Sequence, residues 1–282
     1  MTLATTIRYN RPVEPTEVSV GRLAGIYVYP IKSLDAVAVT SARLLPSGGL
    51  EGDRSFAIFD AAGKYVNGKR HALVHHLRSD FDLARRMLRL STGQGSAGGM
   101  WHVDQQRAEL EAWLSDYFKF PVTFKEDPAA GFPDDPEAPG PTVISTATLE
   151  EVASWFPGTT TEQMRARFRS NVEIGGVPPF WEDRLFGPKP ERVAFQVGEV
   201  VFHGNNPCRR CVVPPRDHLT GEGYPDFTKT FMARREATLP DWAERSRFDH
   251  FYRLAINTLL APGAAGRQIH LGDEIRVIGP CQ

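Results

Sequence analysis

The stretch GRLAGIYVYPIKS, residues 21–33, alternates apolar with small or polar side chains and is rich in β-formers. That period of two predicts a strand with one buried face. VAVTSARLL (37–45) and RSFAIFD (54–60) read the same way, with turns marked by PSGGLEGD (46–53) and DAAGKY (60–65). Further strand pattern follows at DFDLARRMLRLS (80–91) and PVTFKE (121–126). Between them, Leu110, Trp113, Leu114 and Phe118 fall at helical spacing and predict a helix over about 105–118. The first part of the chain is therefore expected to be mostly β, a small barrel, behind an extended tail at 1–19.

EDPAAGFPDDPEAPGPT (126–142), dense in proline, glycine and acid, is the expected boundary. It divides a β-rich unit, 20–137, from a second unit, 138–282. There STATLEEVASWF (145–156) predicts a helix opened by a capping box at Ser145 or Thr146, and TTEQMRARF (160–168) a second helix. Strands are expected at SNVEI, RVAFQVGEVVFHG and DEIRVIG. A long helix is expected over roughly 240–260, through Trp242, Phe248, Phe251, Tyr252 and Leu254. The fold class is α+β.

A chain of 282 residues with 41% hydrophobic and 24% charged residues has enough apolar material for a sizeable core. Its net charge of −1 argues against a general nucleic-acid or membrane-surface binder. No apolar run reaches the length of a membrane span, and the first residues lack a signal-peptide core. Three cysteines make no disulfide framework. A protein of a reducing cytoplasm is the expectation.

Motifs narrow the chemistry. Gly93, Gly95 and Gly98 match a dinucleotide fingerprint in letters only, because no apolar helix opens after them; a hairpin loop is expected. His71, His75 and His76 lack acidic companions at metal-ligand spacing. There is no G-x-S-x-G, Walker-A or H-E-x-x-H run. What remains is NNPCRRCVVPPRDHLTGE (205–222), where Cys208 and Cys211 bracket two arginines. On residue chemistry alone it reads as half a zinc site, a redox dithiol, an inert turn, or a thiolate in a basic nest. In the last case Arg209 and Arg210 would lower the thiol pKa and offer paired donors to an oxyanion. Lys32 and Ser33, Arg54, Lys69 and Arg70, and Arg165, Arg167 and Arg169 all fall at element ends. From there several loops can grip one anionic ligand.

VGRLAGIYVYPIKSLDAVAV with GLEGDRSFAIFD resembles the β-barrel domain that precedes MOSC domains, the molybdenum cofactor sulfurase C-terminal family. RFRSNVEI, the Trp181-Glu182-Asp183 run, PCRRCVVPPRDHLTGE and HLGDEIRVIG resemble the MOSC domain itself. The order and extent are similar to the mitochondrial amidoxime-reducing component and YcbX-like proteins. The resemblance implies a MOSC-type mixed β-barrel with flanking helices. It also implies a molybdenum cofactor (Mo-molybdopterin) and reduction of N-hydroxylated or other N- or S-oxygenated small molecules. Electrons would come from an external ferredoxin-, flavodoxin- or cytochrome-type donor with its reductase. By the same resemblance Cys211 is the molybdenum ligand. Lys32, Ser33, Arg54, Arg169 and Asn171 hold the pterin, Lys69 stands in for a family arginine, and Arg209 and Arg210 contact phosphate. Asp217 orients substrate or proton, or caps its loop. Arg209 replaces a common hydroxyl residue and Ser170 a common proline. The fused ferredoxin domain and the pyridoxal-phosphate desulfurase half of some relatives are not in the sequence. The alternative it leaves open is a sulfur carrier with a persulfide on Cys211.

Overall fold

The computed structural model describes residues 21–93 and 98–281; the expected tail over 1–19 and Gly95 lie outside the described residues. The first half contains β1 (Gly21–Val28), β2 (Val37–Val39), β3 (Ser41–Arg43), β4 (Phe56–Asp60), β5 (Leu77–Asp82), β6 (Met87–Thr92), β7 (Gly99–His102), α1 (Arg107–Phe118) and β8 (Val122–Glu126). The second half contains β9 (Val143–Ser145), α2 (Thr146–Ser154), α3 (Thr161–Phe168), β10 (Val172–Gly175), β11 (Arg192–Val197), β12 (Val200–Arg209), α4 (Phe227–Ala237), β13 (Arg253–Leu260), β14 (Gln268–His270) and β15 (Glu274–Cys281).

Seven strands close a mixed barrel in the order β10, β9, β13, β12, β11, β15, β1, with β1 also pairing back to β10. The β9–β10 pair is parallel and the others antiparallel. The first strand among the described residues thus closes a barrel built otherwise from second-half strands. Leu23, Ile26 and Val28 of β1 point into the barrel core with Phe195, Phe202, Ile256 and Ile275. The rest of the first half packs β4–β8, the β5–β6–β7 meander and α1 around a second core that includes Phe56, Leu88, Leu110 and Phe124. The 80–91 run is a hairpin turning at Arg86, whose backbone is left-handed (φ 54°). Among the described residues no helix is long and apolar enough to cross a membrane.

Helix ends follow side-chain chemistry. Ser145 caps α2 by accepting from Thr148 N (3.0 Å). The reciprocal capping box is instead at α3, where Thr160 Oγ1 accepts from Gln163 N (3.2 Å) and Gln163 returns to Thr160 N (2.9 Å). α2 has no acidic residue in its first turn to answer Ser145. Gly204 is required by close approach: a Cβ there would come within 1.6 Å of Leu185 O.

The expected helix over 240–260 is overturned. Residues 253–260 form β13, inserted between β12 and β9, with Leu254 through Thr258 all buried. A strand covered on both faces is a continuous apolar run, and period alone does not separate it from a helix. The helix of this region is α4, whose Phe227, Phe231 and Arg235 share one buried face four residues apart. A buried arginine interrupts its apolar stripe, which hid the pattern.

α2, α3 and α4 enclose a third, aromatic core with Phe156, Phe168, Phe227 and Phe231. Beside it, in the 3₁₀ turn Trp181–Leu185, Glu182 and Asp183 are both buried. Burial and the adjacent Asp183 push the Glu182 carboxyl up to about 7, and its Oε1 has no partner among the described residues. A raised carboxyl pKa means that the folded state holds the proton more tightly. Its contribution to stability is complete below about pH 4.5 and is lost as pH rises to about 7. Glu182→Gln is therefore expected to flatten this dependence. It should gain up to about 3 kcal/mol relative to wild type between pH 4.5 and 8, read as urea midpoints along a pH series. Parallel pH profiles for the two proteins would reject this account.

Candidate functional site

The segment that leaves β1 is laced to the one that enters β4. Arg54 N donates to Tyr29 O (2.7 Å), Lys32 N to Phe56 O (2.8 Å) and Phe56 N to Pro30 O (2.9 Å). Tyr29 N donates to Asp53 Oδ1 (2.8 Å). This lacing brings Lys32 and Arg54 side by side, both nearly inaccessible to solvent. α3 ends next to them with Arg169, whose Nη1 donates to Leu34 O (2.6 Å). The Tyr29 ring lies between the guanidinium groups of Arg169 and Arg54, 4.2 and 5.2 Å from its centroid. Its hydroxyl is pushed up to about 12 by burial, against the pull of the two arginines.

Ser33 (φ 73°), Arg54 (φ 50°) and Arg169 (φ 53°) all hold left-handed backbone. For residues other than glycine this costs of order 1–3 kcal/mol each and clusters where function over-determines the geometry. All three were singled out from sequence by their place at element ends, and all three line one cavity of about 940 Å³. Its volume is at the upper end for ligand sites.

The same cavity is lined by Lys69, Asn171, Cys208, Arg209, Arg210 and Cys211. β12 leads to the cysteines through two register irregularities against β13, between Gly204 and Asn206 and between Pro207 and Arg209. Bulges re-aim a strand end in this way. Arg210 then pins the loop: its Nε and Nη2 donate to Leu254 O (3.0 and 2.7 Å), and its Nη1 to Phe168 O (3.0 Å). Three of its five N–H donors go to carbonyls, so Arg210 holds Cys211 in place and adds its charge to the wall. Arg209 is mostly exposed and pairs outward with Asp249 (2.8 Å). Asn171 is buried and braces Tyr27 O and Thr142 with its side chain.

Asp217 does not line the cavity. Its Oδ1 accepts from Leu219 N (2.9 Å) and Thr220 N (3.1 Å), and its Oδ2 from Arg167 (3.2 Å). The carboxylate is consumed in closing its own loop, the capping alternative read from sequence. The cavity wall next to it is formed by His218. Sequence reasoning did not single out Tyr29, Asp134, Arg216 or His218. Arg216 Nη1 donates to Gly68 O (2.6 Å), tying the cysteine loop to the 67–70 turn. His75 Nε2 meets the same carbonyl at 3.1 Å.

Electrostatically the cleft favours anions. Ten lysines and arginines line it against five acidic residues. Lys69, Arg169, Arg210 and Arg216 form no carboxylate ion pair within 4.0 Å among the described residues, and Arg169 Nη2 is buried without a partner. A buried guanidinium nitrogen left unpaired is costly unless a ligand oxygen satisfies it. Among the described residues no group of three His, Cys, Asp or Glu could hold a metal by itself. Any metal here would need donors from a ligand beside the cysteine thiolate.

Fold and cleft together define a barrel protein with a cation-rich cleft edged by two free thiols. Two domain families are found in this chain. Residues 20–121 match the MOSC N-terminal beta barrel domain and residues 141–276 match the MOSC domain. MOSC domains are associated with molybdenum-cofactor binding or sulfuration. No curated protein matches the chain. The crystal structure of the YUAD protein from Bacillus subtilis is similar at 14% identity and a TM-score of 0.39, over 93% of this chain and 97% of that one. A hypothetical protein of known structure is similar at 10% identity and 0.40, over 93% and 69%.

Proposed function

We propose that the cleft holds a molybdenum–molybdopterin cofactor. On this reading the protein reduces N-hydroxylated or other N- or S-oxygenated small molecules, in the manner of the amidoxime-reducing component and YcbX-like proteins. One observation carries the reading: Lys32, Arg54 and Arg169, the last two on left-handed backbone, line a single cavity with the free thiol of Cys211. The residues present fit the group, because the unpartnered Arg169 Nη2 offers a donor that a phosphate or pterin oxygen would satisfy. Lys32, Arg54 and Arg169 would bind the phosphate end. Asn171 would fix the backbone that carries Arg169, and Lys69 would close over the ligand from the 67–70 turn. Cys211, as thiolate, is a soft donor suited to the metal. When bound, the cofactor supplies a two-electron centre able to abstract oxygen from substrate. Arg210 keeps Cys211 at one position, and the cavity wall beside His75, Arg78 and His218 receives the substrate. The electrons would come from a separate ferredoxin-, flavodoxin- or cytochrome-type carrier with its reductase.

Metal and pterin analysis of protein made in a cofactor-producing host tests the reading, followed by amidoxime reduction with an artificial donor. About one molybdenum per chain and reductase turnover are expected. Cyanide-labile sulfur without molybdenum would assign a sulfur-carrier role to Cys211 instead. Zinc held by both cysteines would end both readings.

A further inference from the structure

The acidic segment between the two halves reaches into the cationic seat. Asp134 Oδ1 lies 2.5 Å from Lys32 Nζ, and its Oδ2 lies 3.4 Å from Arg54 Nε. Lys32 spends its other donors on Phe132 O (3.0 Å) and Pro133 O (3.3 Å). Arg54 has a second carboxylate in Asp53, at 2.5 Å, but Asp134 is the carboxylate paired with Lys32 among the described residues. The two partners differ in accessibility. The Lys32 and Arg54 side chains are 9% and 10% exposed, whereas that of Asp134 is 61% exposed. A buried ammonium needs a counter-charge, so Lys32 keeps Asp134 until another anion takes its place, whereas the exposed carboxylate can be hydrated once it leaves. The backbone on either side is anchored: Phe132 N donates to Arg54 O (2.8 Å), and Asp135 accepts from Asn257 (2.9 Å). Withdrawal therefore requires only the Asp134 side chain and its immediate peptide to move.

We infer that Asp134 is an internal anionic competitor that occupies the Lys32–Arg54 seat and must be displaced by any anionic ligand that takes it, which lowers the affinity of the cleft for all of them. The inference rests on the reading that phosphate occupies the Lys32–Arg54 seat. A monoanion that displaces Asp134 exchanges one negative charge for another and gains little. A dianion adds a charge to the field of Lys32, Arg54, Lys69 and Arg169, which face the seat together with Asp53. The cost of displacing Asp134 is common to both, so it lowers every anion's affinity by the same factor and leaves the preference for the dianion to the four cations.

Phenyl phosphate and benzenesulfonate are similar in shape and differ in charge at pH 8, where the phosphate monoester is a dianion. Their affinities for the full chain, purified free of cofactor and measured calorimetrically, test the inference. Wild type is expected to prefer phenyl phosphate by at least about tenfold. Asp134→Asn is expected to bind both compounds about tenfold more tightly, with the ratio between them little changed. Unchanged affinities in the variant overturn the inference; molybdenum and pterin content then judges the cofactor reading separately. If neither compound binds either protein, the phosphate seat itself is wrong and both fall. Should the variant fold poorly, a second charge-removing variant, Asp134→Ala, supplies the same comparison.

Discussion

Arg235→Ala is expected to cost about 3–5 kcal/mol of folding stability, a large share of the 5–15 kcal/mol typical of a domain. Arg235 is 1% exposed and forms an ion pair with Asp183. Its guanidinium also lies over Phe180 (4.3 Å) and Phe248 (5.1 Å). Burial raises the Asp183 pKa even with the arginine present. Removing the arginine leaves two adjacent buried acids, Glu182 and Asp183, without a cation. Breaking a buried pair costs more than replacing it whole. Arg235→Met with Asp183→Asn is therefore expected to recover most of the loss, and the double-mutant cycle to show strong coupling. Urea midpoints measure Arg235→Ala and, for the cycle, Arg235→Met, Asp183→Asn and the double variant. A single-variant loss under about 1 kcal/mol, within the usual range for surface changes, would mean that the pair is not what holds α4. The effect reaches the cleft, because α4 packs Phe231 against Phe168, the last residue of α3, and Arg169 follows it.

Residue type and spacing revealed much of this site, because its cations lie where elements end, and ends are visible in sequence. Lys32 follows β1, Arg54 precedes β4 and Arg169 follows the capping-box helix α3. The left-handed backbone of Ser33, Arg54 and Arg169 was not legible: serine and arginine carry no mark of positive φ, as glycine does. Nor was the direction in which an arginine spends its donors. Arg209 and Arg210 are neighbours of identical chemistry, yet one faces Asp249 in solvent and the other is consumed by Leu254 O and Phe168 O. The difference follows from the bulged register of β12 against β13. That register was invisible while β13 itself was expected to be helical. Asp134 was hidden for the opposite reason. Its proline- and acid-rich surroundings read as a boundary, and its contacts to Lys32 and Arg54 span more than 75 residues of chain. Barrel closure by β1 was equally out of reach, because pairing across about 150 residues is set by the whole ring rather than by the strand.

On the cofactor reading, Cys211→Ser should abolish molybdenum retention while Cys208→Ser keeps it, measured as metal per chain after gel filtration. The two thiols line the same cavity, so proximity alone does not separate them. Their backbones do. Cys208 belongs to β12, flanked by the ladder partners of Pro207 and Arg209, and its Sγ is directed at Arg209 O (3.7 Å). Cys211 lies beyond the strand, one residue past the Arg210 anchor, where the sulfur is free of the ladder. Losing the sole protein donor should reduce retention by more than the 10–100-fold typical of losing an outer hydrogen-bonding partner. Arg210→Lys supplies that milder case. It keeps the charge but loses the paired contact to Leu254 O, so an intermediate loss of about 10–100-fold in metal affinity is expected. Equal retention by both cysteine variants would remove Cys211 as ligand. Equal loss would return the pair to the zinc or dithiol readings. A graded series, with Cys208→Ser at wild-type level, Arg210→Lys intermediate and Cys211→Ser empty, follows only if one thiolate, held by its neighbouring arginine, binds the metal.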